Sequence, residues 1–160
     1  AAKRGVAVLD CPVSGGNMGA EKGTLALIVG GEIDVVERCR AALETMGTIY
    51  HCGDVGMGQV AKLANNAIAF TTGAVVREAC AMAHSYGMDL GKLMEILNKS
   101  TGQSFMTDNW GYITSHWHHL YDMAHKDVRL CVEAAKANNI ELPLIQMRLS
   151  QDWTVNPGNI

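Results

Sequence analysis

Short apolar runs alternate with one amphipathic stripe over the first fifty residues, and from residue 59 the helical period takes over. Val6 to Leu9 and Leu25 to Val29 are apolar runs of strand length. Glu32 to Met46 sets Val35, Val36, Cys39, Leu43 and Met46 on one side at helical spacing, and Gly47 is the residue type expected just past a helix end. Thr48 to Cys52 reads as a further strand. Gln59 to Tyr86 is long, apolar and free of proline, and predicts one helix that Gly87 ends. A helix apolar all round is expected to be buried on every side, with a partner subunit or domain supplying what this small domain does not. Asp89 then caps a shorter helix through Leu97, and Ser100 to Gly102 forms a loop. Phe105 to Trp110 predicts a short helix. Another opens at His125 or Lys126 and ends at Asn138-Asn139, and Pro143 opens a final helix toward Trp153.

The pattern predicts a mostly α chain. Residues 1–54 read as a partial α/β sheet of the kind that completes a larger doubly wound one, and residues 55–160 as an all-helical domain. The length of 160 residues suits one domain or a domain with the edge of another, and 48% hydrophobic residues suffice for a core. A net charge of −3 without a basic stripe argues against a nucleic-acid surface. No run reaches the ~18 apolar residues of a membrane span. The five cysteines (Cys11, Cys39, Cys52, Cys80, Cys131) are odd in number and widely spaced, which suits free thiols in a reducing compartment, cytoplasmic or mitochondrial matrix.

Candidate chemistry concentrates in two glycine-rich stretches. In Gly53-Asp-Val-Gly-Met-Gly-Gln-Val-Ala-Lys62-Leu-Ala-Asn-Asn66 a glycine turn enters an apolar helix. Lys62, Asn65 and Asn66 fall at i, i+3 and i+4, so an ammonium and two carboxamides share one face. Proximity to the positive end of the helix dipole and apolar neighbours are both expected to lower the lysine pKa toward the range useful for proton transfer. In Asp10-Cys-Pro-Val-Ser-Gly-Gly-Asn-Met-Gly19 a strand ends in a turn whose adjacent glycines let backbone N–H groups point into one concavity, with Ser14 adding a hydroxyl donor. That geometry suits a small carboxylate or a phosphate.

Together these stretches resemble the β-hydroxyacid dehydrogenases, the family of 3-hydroxyisobutyrate dehydrogenase, tartronate semialdehyde reductase and 6-phosphogluconate dehydrogenase. Asp10 to Gly16 is similar to the family's substrate-binding segment, Gly56 to Asn66 to its catalytic segment, and Lys126-Asp127 to its cofactor-closing segment. The resemblance runs from about Gly5 to Pro143. It implies reversible hydride transfer between NAD or NADP and a small β-hydroxy acid, with Lys62 as general acid and base. Ser14, Gly15 and Gly16 would hold the substrate carboxylate, Asn66 would orient it, and Lys126 would approach the nicotinamide. It also implies that residues 1–54 are the last strands and helix of a Rossmann-like domain, and that the helical domain pairs in a homodimer or homotetramer. The retained lysine weighs against the imine-reductase branch.

One departure is large. The family's opening βαβ unit with Gly-x-Gly-x-x-Gly has no counterpart here. The chain therefore reads as a C-terminal portion, expected to be folded, oligomeric and catalytically silent by itself. Two rival readings stand beside the enzyme: a non-catalytic helical dimerisation module and a carboxylate-binding domain without redox chemistry. Residues that mislead are His116, His118 and His119, whose spacing of two and one does not suit metal ligation from a helix, so no metal is expected and a solvated loop anchored by Trp117 is. Met57 and Met106 are candidates for a substrate pocket.

Overall fold

A computed structural model of the chain describes residues 2–151. The protein is mostly helical, as its pattern predicts, and divides into two compact units, residues 1–65 and 66–160.

The first unit opens with a short 3-10 helix, Ala2–Arg4, and is built on a three-stranded sheet of order β1 (Val13–Ser14), β2 (Leu25–Val29), β3 (Gly47–His51). β1 runs antiparallel to β2, with Val13 opposite Leu27, and β2 runs parallel to β3, with Leu27 opposite Ile49. Helix α1 (Gly16–Lys22) joins β1 to β2, and α2 (Ile33–Leu43) makes the crossover from β2 to β3. Alternate residues of β2 point inward: Leu25, Leu27 and Val29 are buried against Val36 of α2, with Leu9, Cys11, Leu43 and Ile49 around them.

Three expectations change here. Val6 to Leu9 is not a strand, and only Asp10 reaches the sheet, through a bridge to Gly30. The stretch after Ser14 is not an open turn, because residues 16–22 wind into α1. Glycine and asparagine there hid the helix from propensity, but Gly19 lets its backbone sit on Leu25, where an added Cβ would stand 3.1 Å from the leucine side chain. Gly47 is not the cap of α2, which ends at Glu44. It starts β3, so close to Leu25 that a Cβ would strike the leucine's carbonyl.

Helix α3 (Met57–Ser85) closes the first unit and continues into the second. Gly87, at a φ of 79°, ends it in the left-handed region. The second unit adds α4 (Leu90–Leu97), α5 (Phe105–Asp108), α6 (Trp110–Ser115), α7 (Trp117–Lys136) and α8 (Pro143–Leu149). Asp89 caps α4 by accepting the Lys92 N–H at 2.8 Å, and Ser104 with Thr107 forms a capping box on α5. The core joins Ala74, Val76 and Cys80 of α3 to Met94, Met106, Ile113 and Trp117, one from each following helix through α7. The final helix ends at Leu149, and the predicted reach toward Trp153 lies outside the described residues.

Within this chain α3 leaves Ile68, Val75 and Met82 exposed opposite its core face. Three further corrections belong to this unit. The segment predicted as one helix from Phe105 is two, broken at Asn109. α7 starts at Trp117 rather than at residue 125 or 126, so Lys126-Asp127 lies in mid-helix, and His118 and His119 belong to its first turn rather than to a loop. Trp117, Leu120, Tyr121 and Ala124 fall at i, i+3, i+4 and i+7, an apolar period that the His116 to His119 cluster obscures. Burial of Trp117 fixes that first turn in the helix.

Candidate active site

The N-terminus of α3 is held by one carboxylate. Asp10 lies beside the end of β2, bonded through its backbone to Gly30 in both directions (N···O 3.0 and 2.8 Å). Its side chain accepts the N–H of Gly56 at 2.5 Å on one oxygen and that of Gln59 at 2.9 Å on the other. These are two of the donors that a helix start leaves unsatisfied. Charge-assisted bonds of this kind contribute about 1.5–3 kcal/mol each when well formed. The approach is possible because Gly30 and Gly58 lack side chains: a Cβ on Gly58 would stand 2.6 Å from the Asp10 carboxylate, and one on Gly30 would stand 2.7 Å from the Asp54 carbonyl. In the sequence Asp10 stands only as the first residue of a motif and Gly30 only as part of the Gly30-Gly31 pair that follows it, neither with a role of its own. Their local signal is only an acid at a strand end and a Gly-Gly pair.

β3 followed by Gly53 to Gly58 and α3 has the strand–turn–helix form of a phosphate loop. The Asp10 carboxylate already occupies the Gly56 and Gln59 N–H groups, so that turn does not fit a dinucleotide phosphate. The same negative charge offsets part of the positive helix end that was expected to act on Lys62.

Lys62 is half-buried on the second turn of α3. Asn66, four residues on, shares its face and is also half-buried. The Asn66 amide donates to Asp127 Oδ2 at 2.7 Å, and Asp127 Oδ1 pairs with Lys126 Nζ at 3.1 Å. The structure thus ties Asn66, Asp127 and Lys126 together. The Asp127 side chain is 14% exposed and that of Lys126 58%, so a solvent-facing ammonium stands over a sheltered carboxylate. Asp127, read in the sequence only as part of a motif, is the anchor of Asn66.

Ser14 is half-buried at the end of β1, and Gly15 and Gly16 follow with φ of 131° and 61°, a conformation other residues rarely adopt. Gly15 is the N-cap of α1, and its carbonyl accepts the first intrahelical bond from Gly19 at 3.0 Å. The N–H groups just past it therefore have no intrahelical acceptor.

Several tempting groups stand apart. Met106 is core and Met57 is exposed. His116 caps α7 and stacks on Tyr112 at 4.3 Å, and among the described residues no three His, Cys, Asp or Glu side chains converge as a metal set. Burial raises the Cys80 thiol to about 11, and burial with the neighbouring Asp10 charge raises that of Cys11, so neither is a ready thiolate. A wide-open concavity beside His84, Met88 and Asp89, past the end of α3, contains none of the candidate residues. Among the described residues no helix is long and apolar enough to cross a membrane.

The chain is similar to known proteins in sequence and fold. Residues 56–151 match the family described as the NAD-binding domain of NADP-dependent 3-hydroxyisobutyrate dehydrogenase, and residues 1–58 match the NAD-binding domain of 6-phosphogluconate dehydrogenase. A 2-(hydroxymethyl)glutarate dehydrogenase of Eubacterium barkeri is 36% identical over 153 residues, covering 92% of this chain and 51% of its own length. A 3-hydroxyisobutyrate dehydrogenase of Pseudomonas aeruginosa is 46% identical over 103 residues, covering 64% of this chain and 35% of its own. Among solved structures, the Mycobacterium tuberculosis 3-hydroxyisobutyrate dehydrogenase determined with L-serine superimposes with a TM-score of 0.75 at 26% identity, over 94% of this chain and 60% of that one. The chain spans about half the length of the curated relatives it matches best along its own length.

Proposed function

The chain belongs to the β-hydroxyacid dehydrogenase family, and from that premise we propose that it acts in hydride transfer between NAD or NADP and a small β-hydroxy acid. The two named substrates and the serine ligand of the similar proteins share one skeleton, a hydroxymethyl group on the carbon that bears the carboxylate. We place this chain's substrate in that class, with 3-hydroxyisobutyrate as the type compound. The observation that carries the reading is the pair Lys62 and Asn66 on one face of α3, with Asn66 held by Asp127.

NAD or NADP would supply the hydride chemistry, with Lys126 on the nicotinamide side of the site. Lys62 Nζ takes the hydroxyl proton in oxidation and gives it to the carbonyl oxygen in reduction. The Ser14 hydroxyl and the Gly15-Gly16 turn bind the carboxylate, and Asn66 orients it, its amide fixed by Asp127. Lys126 is exposed enough to meet the nicotinamide side of the cofactor, and the sheltered Asp127 carboxylate keeps its ammonium in place. Free thiols suit a reducing compartment, cytoplasmic or mitochondrial matrix.

Ser14→Ala tests the carboxylate site. Loss of one hydrogen bond to a charged group, about 1.5–3 kcal/mol, is expected to raise KM for the acid by roughly 10- to 100-fold with a smaller change in kcat. Steady-state kinetics on the acid and on its amide separate the roles: an equal loss for both removes Ser14 from carboxylate binding.

The partner we propose is a second copy. Ile68, Val75 and Met82 repeat every seven residues on the exposed side of α3, and Tyr86 extends the stripe, with exposures of 67%, 61%, 62% and 87%. A stripe with that repeat is the seam of paired helices. We expect an even oligomer, dimer or tetramer, and Val75→Glu with Met82→Glu should dissociate it. Sedimentation equilibrium checks this, and a wild-type monomer at micromolar concentration contradicts it.

A further inference from the structure

We propose that Asp10 is the positioning residue for Lys62: by holding the N–H groups of Gly56 and Gln59, its carboxylate sets the line and register of the first turns of α3 and hence where the Lys62 ammonium sits. The inference rests on the proton-transfer role assigned to Lys62 above.

The geometry favours position over simple capping. A helix start has a ready supply of caps from its own neighbouring residues, usually the residue just before the first turn. Here the cap comes from forty-six residues earlier in the chain, from a residue itself pinned to the end of β2 by two backbone bonds. The helix is therefore referenced to the sheet and not to its own turn. Gln59 precedes Lys62 by three residues, about 4.5 Å of helix rise, so little backbone lies between the clamp and the lysine. Gly30 and Gly58 are the sites that let Asp10 in: a Cβ on either meets its carboxylate. Two stripped positions around one acid mark a fitted contact.

The test uses Asp10→Asn and Asp10→Ala alone and with Lys62→Ala, in the protein that shows wild-type turnover. Asn keeps the shape and one acceptor but loses the charge and faces an amide N–H₂ toward one backbone donor. Displacing a reacting group by a fraction of an ångström lowers kcat rather than affinity, and a 1 Å misplacement can cost about 10²-fold. The expected order is wild type, then Asn at about 10-fold lower kcat, then Ala at up to about 10²-fold, with KM for the hydroxy acid within about 3-fold throughout. In the Lys62→Ala background the Asp10 substitutions should lower kcat no further, because the group they position is gone. Full kcat per folded molecule in both Asp10 variants, or an equal Asp10 effect with and without Lys62, overturns the proposal and leaves Asp10 a fold clamp. If Asp10→Ala does not fold, Asp10→Asn carries the same comparison. Near-wild-type turnover in Lys62→Ala alone is a different result: it refutes the acid–base role of Lys62, independently of what Asp10 does.

Discussion

Lys62→Ala is expected to lower kcat by about 10²–10⁴-fold in both directions of the reaction while the fold persists. The loss belongs to the chemical step, because a hydroxyl proton has to leave as hydride departs, and an alkoxide released without a base is far too high in energy. The fold should persist because Lys62 is only half-buried and alanine is the best helix former. In oxidation the wild-type rate should rise with pH as the lysine loses its proton, and in reduction it should fall. The variant should lose that dependence in both directions. Stopped-flow and steady-state rates across pH, with circular dichroism as the control for folding, give the comparison. A variant within a few-fold of wild type, or one that keeps the same pH limb, means that the proton moves through another group.

Gly30→Ala is expected to be among the most damaging single substitutions for stability. Gly30 is buried at the end of β2, and a Cβ there would press on the Asp10 carboxylate and stand 2.7 Å from the Asp54 carbonyl and 2.9 Å from the Gly58 nitrogen. Two of these three are backbone atoms, so no side-chain rotation relieves the contact. Overpacking alone costs about 1–3 kcal/mol. Displacing Asp10 also weakens its two bonds to the start of α3, so a total of about 3–5 kcal/mol is expected. That is a large share of the roughly 5–15 kcal/mol by which a domain is stable. Urea unfolding followed on the first unit should show a midpoint lower by about 1–3 M with an unchanged slope. A midpoint within error of wild type would show that β2 and α3 slide apart easily, and that the Asp10 clamp is loose.

The large helical elements were legible in the sequence because their signals are local. α3 follows from a long proline-free apolar run closed by Gly87, α4 from the Asp89 cap, and the end of α7 from Asn138-Asn139, where Asn139 takes a left-handed φ of 59°. β2 and β3 follow from apolar runs of strand length. The glycine pair after Ser14 was legible as a backbone feature too, since positive φ values of the kind found at positions 15 and 16 favour glycine. So was the pairing of Lys62 with Asn66, which follows from helix periodicity alone.

What the sequence did not contain was anything set by contacts between distant segments. A glycine-rich stretch carries no period, so α1 was unreadable, and packing of Gly19 against Leu25 decides it. The first half of α7 does carry a period, Trp117, Leu120, Tyr121 and Ala124, which the histidine cluster masked. Gly47 was assigned to the wrong element because a glycine that admits a neighbouring backbone and one that ends a helix look alike in one dimension. Asp10 and Asp127 stood in the sequence as motif letters. Their partners lie 46 to 61 positions away, at Gly56, Gln59 and Asn66. The sequence by itself determined which residues are candidates for the chemistry. Tertiary structure decided what holds them, because a carboxylate's partner depends on the path of the chain and not on its neighbours along it.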